Sequence, residues 1–394
     1  MTDLLAGIRV LDFGRYIAGP YCAALLGDLG ADVIRIERRD GGEDRWIQPV
    51  ADDGAGALYL VMNRNKRGMT LDPAHAEGRT VVRRLVATAD VVVANLPPEV
   101  LKSLGLDLES LRAIKPDIIL TTATAFGAGG PMSARHGFDG IGQAMCGSAY
   151  LTGNPDDPMR AAVNWVDFGT GSLAAFGTLA ALMARGKTGR GQQVETALLR
   201  TALAFNNPAL VEQAIAAPDR VATRNLGVVS APSDVFRTRD GWVMVSCVGT
   251  PMFRRWAKLV GATDWLDDPR FADDAARARH GALVSARMSE WLAGRGNDEV
   301  LALLETAMIP AAPILSPQGA LDHPHIRAAG LLEERPYGGM SGTAPIAPAP
   351  VQLSETAAAW RRPAPTLGEH TDEILAELGY DTVEIAALRA GNAI

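Results

Sequence analysis

The sequence predicts an α/β fold: a parallel sheet covered by helices on both faces, accompanied by a smaller α+β domain. Three observations carry this. Runs of Val, Ile and Leu alternate with helical segments through the first third. A stretch free of charged residues runs from Phe168 to Ala184. After Pro232 the pattern changes to hairpin strands and short helices.

In chain order, "IRVLDF" (8–13) reads as a strand, and "GPYCAALLGDLGA" (19–31) as a helix opened by Pro20. "DVIRIE" (32–37), "DVVVAN" (90–95) and "DIILTTA" (117–123) are further strands, with a helix at 75–89. A buried helix is expected from about Gly169 to Arg185, ending in the glycine-rich "RGKTGRG". Residues 192–217 read as a strand and then a long helix. "DVFRTRDGWVMVSCV" is a hairpin with Asp240-Gly241 at its turn. Helices follow at "TPMFRRWAKLVG" and "NDEVLALLETAM", the latter with Asn297 as N-cap. Proline-rich stretches at 344–355 and 361–370 precede a last helix at 370–379. The expected layout is a large domain over 1–200, a linker over 201–227, a small domain over 228–320, and a return segment over 321–394.

The composition constrains function. The net charge of −7 argues against a surface built to bind nucleic acid or an anionic membrane. Cys22, Cys146 and Cys247 are scattered in apolar contexts, as expected of reduced thiols. "MTDLLAGIRVLDF" lacks a signal-peptide pattern, and the uncharged run fits a buried helix better than a membrane span, so the cytoplasm is expected.

Several motifs are incomplete. Gly186-Lys187-Thr188 has Ala181 where a phosphate-binding loop needs glycine. Gly14 and Gly19 miss the dinucleotide-binding spacing, which leaves a nicotinamide-linked oxidoreductase as a weak alternative despite Glu37 at the end of the second strand. His323 and His325 flank a proline and read as a turn rather than a metal site, and no nucleophile-elbow motif occurs. Two basic clusters stand out: Arg35, Arg38 and Arg39; and Arg64, Lys66 and Arg67 beside Asn63 and Asn65. They read either as a solvated face or as a phosphate-binding rim at the carboxyl edge of the sheet.

Asp167, at the mouth of the uncharged run, reads either as a helix N-cap or as a reactive carboxylate. Apolar neighbours, helix amides, and glycines at 169 and 171 that admit another backbone or a ligand favour a nucleophile.

The segments "GIRVLDFGRYIAGPYCAALLGDLGADVIRIERRDGGED", "LYLVMNRNKRGMTLD", "ADVVVANLPPEVLKSLGLD", "GFDGIGQAMCG", "VDFGTG", "TGRGQQVETALL", "DGWVMVS" and "LGEHTDEILAELG" occur in one order. In this the chain resembles the family III CoA-transferases, the CaiB/BaiF type that includes formyl-CoA and carnitine CoA-transferases. The resemblance implies a Rossmann-like large domain formed by both chain ends, a small domain, and an interlocked homodimer. It implies coenzyme A or acyl-CoA as substrate with no permanent cofactor and no metal. It implies Asp167 as nucleophile, passing through an aspartyl anhydride and an aspartyl-CoA thioester. For CoA contacts it implies Ile17, Ala18, Arg38, Leu71, Asp72, Pro73, Ala74, Asn95, Leu96, Pro97, Arg135, His136, Gly137 and Phe138. A basic residue of the family is replaced by Ser103, with Lys102 adjacent. Ile17 stands where oxalate-specific members have glutamine, and their glycine-rich flap is not found, which argues against oxalate as acceptor. Succinyl-CoA as donor and a small carboxylic acid as acceptor are expected at the level of the family. Arg15 pairs either with a second substrate carboxylate or in a structural salt bridge. The alternative within the fold is an α-methylacyl-CoA racemase, which needs a second base before Asp139; that position holds Phe138, with His136 two residues earlier.

Overall fold

A computed structural model describes residues 3–394. Two compact units divide the chain. The large one holds the chain up to Cys146, Ala161–Val211 and Pro324–Ile394; the small one holds Gly147–Arg160 and Glu212–His323.

Among the described residues, the principal sheet of the large unit has six strands. They are β1 (Arg9–Asp12), β2 (Asp32–Glu37), β3 (Lys66–Thr70), β4 (Val91–Ala94), β5 (Ile119–Thr124) and β6 (Gln193–Ala197). Their order is β3-β2-β1-β4-β5-β6, with every neighbouring pair parallel. This is the doubly wound order, in which the direction of winding reverses between β1 and β4.

Strand alternation sorts the apolar side chains between two layers. On one face Val10, Val33, Val91 and Ile119 pack with Cys22 and Leu26 of the helix Ala18–Asp28 and with Ala174, Ala175 and Ala181 of the helix Trp165–Thr188. On the other, Leu11, Ile34, Val92 and Leu120 pack with Val81 and Leu85 of the helix Ala76–Thr88. The same layer takes in Ile374, Leu375, Ile385 and Leu388 from the helices Thr371–Glu377 and Thr382–Ala390. Each fully buried aliphatic side chain contributes about 1.5–3 kcal/mol. The chain end is thus part of the core that the chain start builds.

Strand β3 is a correction. "KRGMT" was expected on a solvated face or a phosphate rim, yet Lys66 and Arg67 are buried. Arg67 pairs with Asp32 at 2.7 Å and with Glu377 at 2.6 Å; Arg64 pairs with Asp28 at 2.6 Å. Arg35 is inside, paired with Asp44 at 2.8 Å. The carboxylates that neutralise these cations come from other elements, so the local pattern read as surface. Lys66 shows the strain of burial: desolvation pulls its ammonium down to about 8 despite the Asp12 charge beside it.

Three smaller corrections follow. The expected linker over 201–227 is largely helical, Leu198–Phe205 and Asn207–Ala216, interrupted at Asn206, whose amide donates to the Cys146 carbonyl at 2.7 Å. The small unit starts at Glu212 and also takes in 147–160, so its limits differ from 228–320. Within it, the strands Ser233–Arg237 and Trp242–Ser246 pair antiparallel around Asp240-Gly241, over a core that includes Trp256, Phe253 and Phe271. Asn297 is not the N-cap of its helix: Gly296 holds that place, and Asp240 Oδ1 accepts the Asn297 amide at 2.8 Å.

The helix Trp165–Thr188 has the length and apolarity of a membrane span, but Val166, Thr170, Ala174, Thr178 and Ala181 are buried within the large unit. Gly171 lets it approach the helix Ala18–Asp28. A Cβ there would stand 2.8 Å from the Ala18 carbonyl oxygen and 3.1 Å from the Tyr21 ring. Gly171→Val is expected to cost about 1–3 kcal/mol through overpacking. Gly186→Ala, with nothing within 4 Å of the new Cβ, is expected to gain about 0.5–1 kcal/mol from helix propensity. Urea unfolding midpoints of the two variants check this contrast.

Candidate active site

The reversal point between β1 and β4 opens a cleft of about 230 Å³, where open α/β sheets take their ligands. Strand β1 ends at Asp12, whose Oδ1 accepts the Gly14 amide at 2.8 Å and so shapes the loop that leads to the cleft. A Cβ on Gly14 would meet this oxygen and the Pro20 ring, both at 2.8 Å, so the glycine is required by the turn itself. The loop then carries Tyr16 at φ 61°, a left-handed backbone unusual for an aromatic residue. Asn95, after β4, holds this loop from the other side: its Oδ1 accepts the Arg15 amide at 2.6 Å, and its Nδ2 donates to the Arg15 carbonyl at 2.7 Å. The Tyr16 ring meets Phe138 edge-on at 5.4 Å, so the loops after β1 and β5 touch across the cleft.

Asp167 lines this cleft, half-buried. It is not the N-cap. The helix starts at Trp165 after Asn164, which places Asp167 in the first turn and moves the expected start at Gly169 upstream. The amides that were expected to support its charge are taken by another residue: Asp139 Oδ2 accepts Val166 N at 2.8 Å and Asp167 N at 3.1 Å. Among the described residues, no hydrogen-bond donor or cation is placed on the Asp167 carboxylate. Burial, and then the Asp139 charge, push its carboxyl up from 3.8 to about 7.

The glycines after Asp167 serve packing rather than a ligand. A Cβ on Gly169 would stand 2.6 Å from the Phe205 ring, and Gly171 faces the helix Ala18–Asp28.

The cleft brings together Asp167, Ala18, Asn95, Leu96, Pro97, Arg135, His136, Gly137 and Phe138. The other expected contacts are not part of this lining. Ile17 is buried and its carbonyl accepts Tyr21 N at 2.7 Å. Leu71 is a core residue. Asp72 bonds the chain end, accepts the Ala74 amide at 2.9 Å, and with Pro73 lies outside the cleft lining. Arg38 is exposed and pairs with Glu43 at 3.1 Å and Asp40 at 3.5 Å. Ser103 turns back onto its own helix, donating to the Val100 carbonyl at 2.8 Å. Of the basic clusters, Arg38 and Arg39 remain exposed; the phosphate-rim reading fails for Arg35, Arg64, Lys66 and Arg67.

Sequence reasoning missed Tyr16, Glu43, Thr124 and Leu198 in the lining. A non-glycine left-handed residue has no sequence signature, and Glu43 arrives from the short 3-10 helix Glu43–Trp46. Arg15 is a structural ion pair: it bonds Asp44 at 2.8 Å and also Glu43, leaving little charge for a substrate carboxylate.

The model of CoA-transferase family III matches residues 5–371. The chain is similar to the succinate–glutarate CoA-transferase of Agrobacterium fabrum, 35% identical over 402 residues, covering 98% of this chain and 100% of that protein. It is 30% identical over 396 residues to the human succinyl-CoA:glutarate CoA-transferase, covering 99% of this chain and 90% of that one. A crystal structure of a CaiB/BaiF family protein from Brucella suis superposes with a TM-score of 0.82 at 33% identity, over 95% of this chain and 99% of that chain. The parallel sheet, the cleft at its reversal point and these matches across nearly the whole chain place it in CoA-transferase family III, as a CoA-transferring enzyme.

Proposed function

We propose that the cleft binds an acyl-CoA and that Asp167 carries the acyl and CoA groups between two carboxylic acids. The observation that supports this is an unpaired, partly desolvated carboxylate in the wall of the cleft, titrating near 7. A carboxylate without donors is more basic and more nucleophilic than a solvated one.

The reaction needs no net proton. The Asp167 oxygen attacks the thioester carbonyl, and the C–S bond breaks to release CoA thiolate and leave an aspartyl-acyl anhydride. The thiolate attacks the aspartyl carbonyl, expelling the first acid as carboxylate and leaving an aspartyl-CoA thioester. The acceptor carboxylate attacks that thioester and releases thiolate again. The thiolate then takes the acceptor acyl group from the second anhydride and frees Asp167. Succinyl-CoA is the proposed donor and a small mono- or dicarboxylic acid the acceptor, in line with relatives named for glutarate, citramalate and malate. Ala18, Asn95, Leu96, Pro97 and the segment Arg135–Phe138 are the proposed CoA contacts.

The test is trapping. With succinyl-CoA and hydroxylamine, peptide mass spectrometry is expected to find a hydroxamate on Asp167. Label on another residue, or on none during active turnover, overturns the assignment. A panel of donors and acceptors read the same way identifies the acyl pair.

His136 shares the cleft with Asp167, which favours a second reading, α-proton exchange on a 2-methylacyl-CoA. Deuterium wash-in at the α-carbon at the rate of turnover would select it. We propose a cytoplasmic setting, since all three cysteines are free and buried. An interlocked homodimer is proposed from Phe176, Met183 and Phe205, which are 70%, 69% and 53% exposed on the large unit. Sedimentation at the mass of one chain would refute it.

A further inference from the structure

A second carboxylate decides what Asp167 can do. The helix Trp165–Thr188 has no side-chain cap from its own N-cap residue, Asn164. Its first amides are nevertheless all occupied. Trp165 N donates to the Val163 carbonyl at 2.9 Å and Phe168 N to the Asn164 carbonyl at 3.1 Å. Between them, Val166 N and Asp167 N both donate to Asp139 Oδ2. An acidic residue in a helix's first turn ordinarily shares these free amides and is stabilised as an anion. Here that stabilisation goes to Asp139 instead.

Asp139 is built for this place. It is 3% exposed on the short helix Asp139–Met145. Its other oxygen accepts the amide of Gln143, one helical turn on and fully buried. Gln143 Oε1 in turn accepts Ala161 N at 2.8 Å, so one side-chain pair grips the chain on both sides of the approach to Asp167. Among the described residues, no cation pairs with Asp139; backbone amides, one side-chain amide and the helix dipole hold its charge.

We propose that Asp139 is the positioning residue of the reaction: by capping the helix through the amides of Val166 and Asp167, it fixes Asp167 at the cleft and keeps its carboxylate free of donors. The inference rests on Asp167 being the nucleophile. The negative charge of Asp139 also contributes, after burial, to the raised titration of Asp167. The other charged or titratable groups bordering the cleft are Arg135 and His136 from the loop before Asp139, Arg15 and Tyr16 after β1, and Glu43. Arg15 is already engaged by Glu43 and Asp44. From the helix Ala18–Asp28, Tyr21 reaches Phe168 but not the carboxylate. Asp139 is the group that bonds the backbone of Asp167 itself.

The test is the pH profile of Asp139→Asn. This variant keeps an oxygen for the two amides and loses the charge. The acid limb of kcat/KM, expected near pH 7 in the parent enzyme, should move down by about one unit. The kcat on the plateau is expected to fall ~10-fold or more with little change in the KM for acyl-CoA. A purely structural role would lower expression or melting temperature and leave the limb in place, and an unmoved limb overturns the proposal. The substituted side chain would set its amide against that of Gln143, so a second variant guards against misfolding. Asp139→Asn with Gln143→Glu restores a donor–acceptor pair and moves the charge away from Asp167; its limb is expected to move the same way. Asp167→Asn separates the two ideas: turnover surviving in it removes the nucleophile assignment, whereas an inactive Asp167→Asn beside an unmoved limb removes only the role of Asp139.

Discussion

Asp167→Asn is expected to lower kcat by at least ~10³-fold while the CoA ester still binds, because a neutral amide does not form an acyl anhydride. Initial rates and a separate binding isotherm check both parts. The parent enzyme is expected to lose activity as pH falls through about 7, where the Asp167 carboxyl takes up its proton. The same substitution is expected to stabilise the fold. The carboxyl titrates near 7 when folded against an ordinary 3.8 in the unfolded chain, so folding bears the full cost of its charge only above about 7. That cost shrinks as pH falls from 7 towards 4, where both states are protonated. The Asn variant should therefore melt higher than the parent at pH 8, with the gap closing at pH 5. A constant gap would show that the carboxyl is not perturbed. Activity lost and stability gained by one substitution is the pattern of a strained functional residue.

Asp12→Ala is expected to destabilise the large unit by about 3–5 kcal/mol, the usual result of stranding a buried charge. Asp12, Lys66 and Arg35 are all fully buried. Asp12 Oδ2 is 2.7 Å from Lys66 Nζ and 3.7 Å from Arg35 Nη1, and Oδ1 caps the Gly14 amide. Lys66 would retain only the Pro20 carbonyl at 2.8 Å and the Asn63 side chain at 3.0 Å. Asp12→Ala with Lys66→Met should recover a large share, since Arg35 keeps Asp44 and no ammonium is left unpaired. Denaturant midpoints of the single and double variants decide it; equal loss in both would mean that the ion pair itself is not what Asp12 supplies. Because Asp12 also anchors the loop of Arg15 and Tyr16, the single variant should raise the KM for acyl-CoA.

Much of the scaffold was legible. The runs 8–13, 32–37, 90–95 and 117–123 fall on strands β1, β2, β4 and β5, and the helices at 19–31 and 75–89 sit within three residues of their ends. Apolar periodicity reports such elements because each buries its own side chains. Strand β3 escaped because its identity lies in partners: Lys66 needs Asp12 and Arg67 needs Asp32, Glu373 and Glu377. Of the residues that the resemblance assigns to CoA, Arg38 stays exposed, paired with Glu43, while Leu71 lies in the core.

The order of residues alone was enough for the alternation of strand and helix, the family resemblance, and the presence of one acid, Asp167, at the head of a long apolar helix. Packing in three dimensions was needed to reveal that Trp165 starts that helix, that Asp139 caps it across 28 residues of chain, and that the glycines behind Asp167 serve helix packing. Local patterns carry backbone preference and the face on which apolar groups lie. Whether a charged group is neutralised, exposed or left reactive depends on partners that distant segments bring to it.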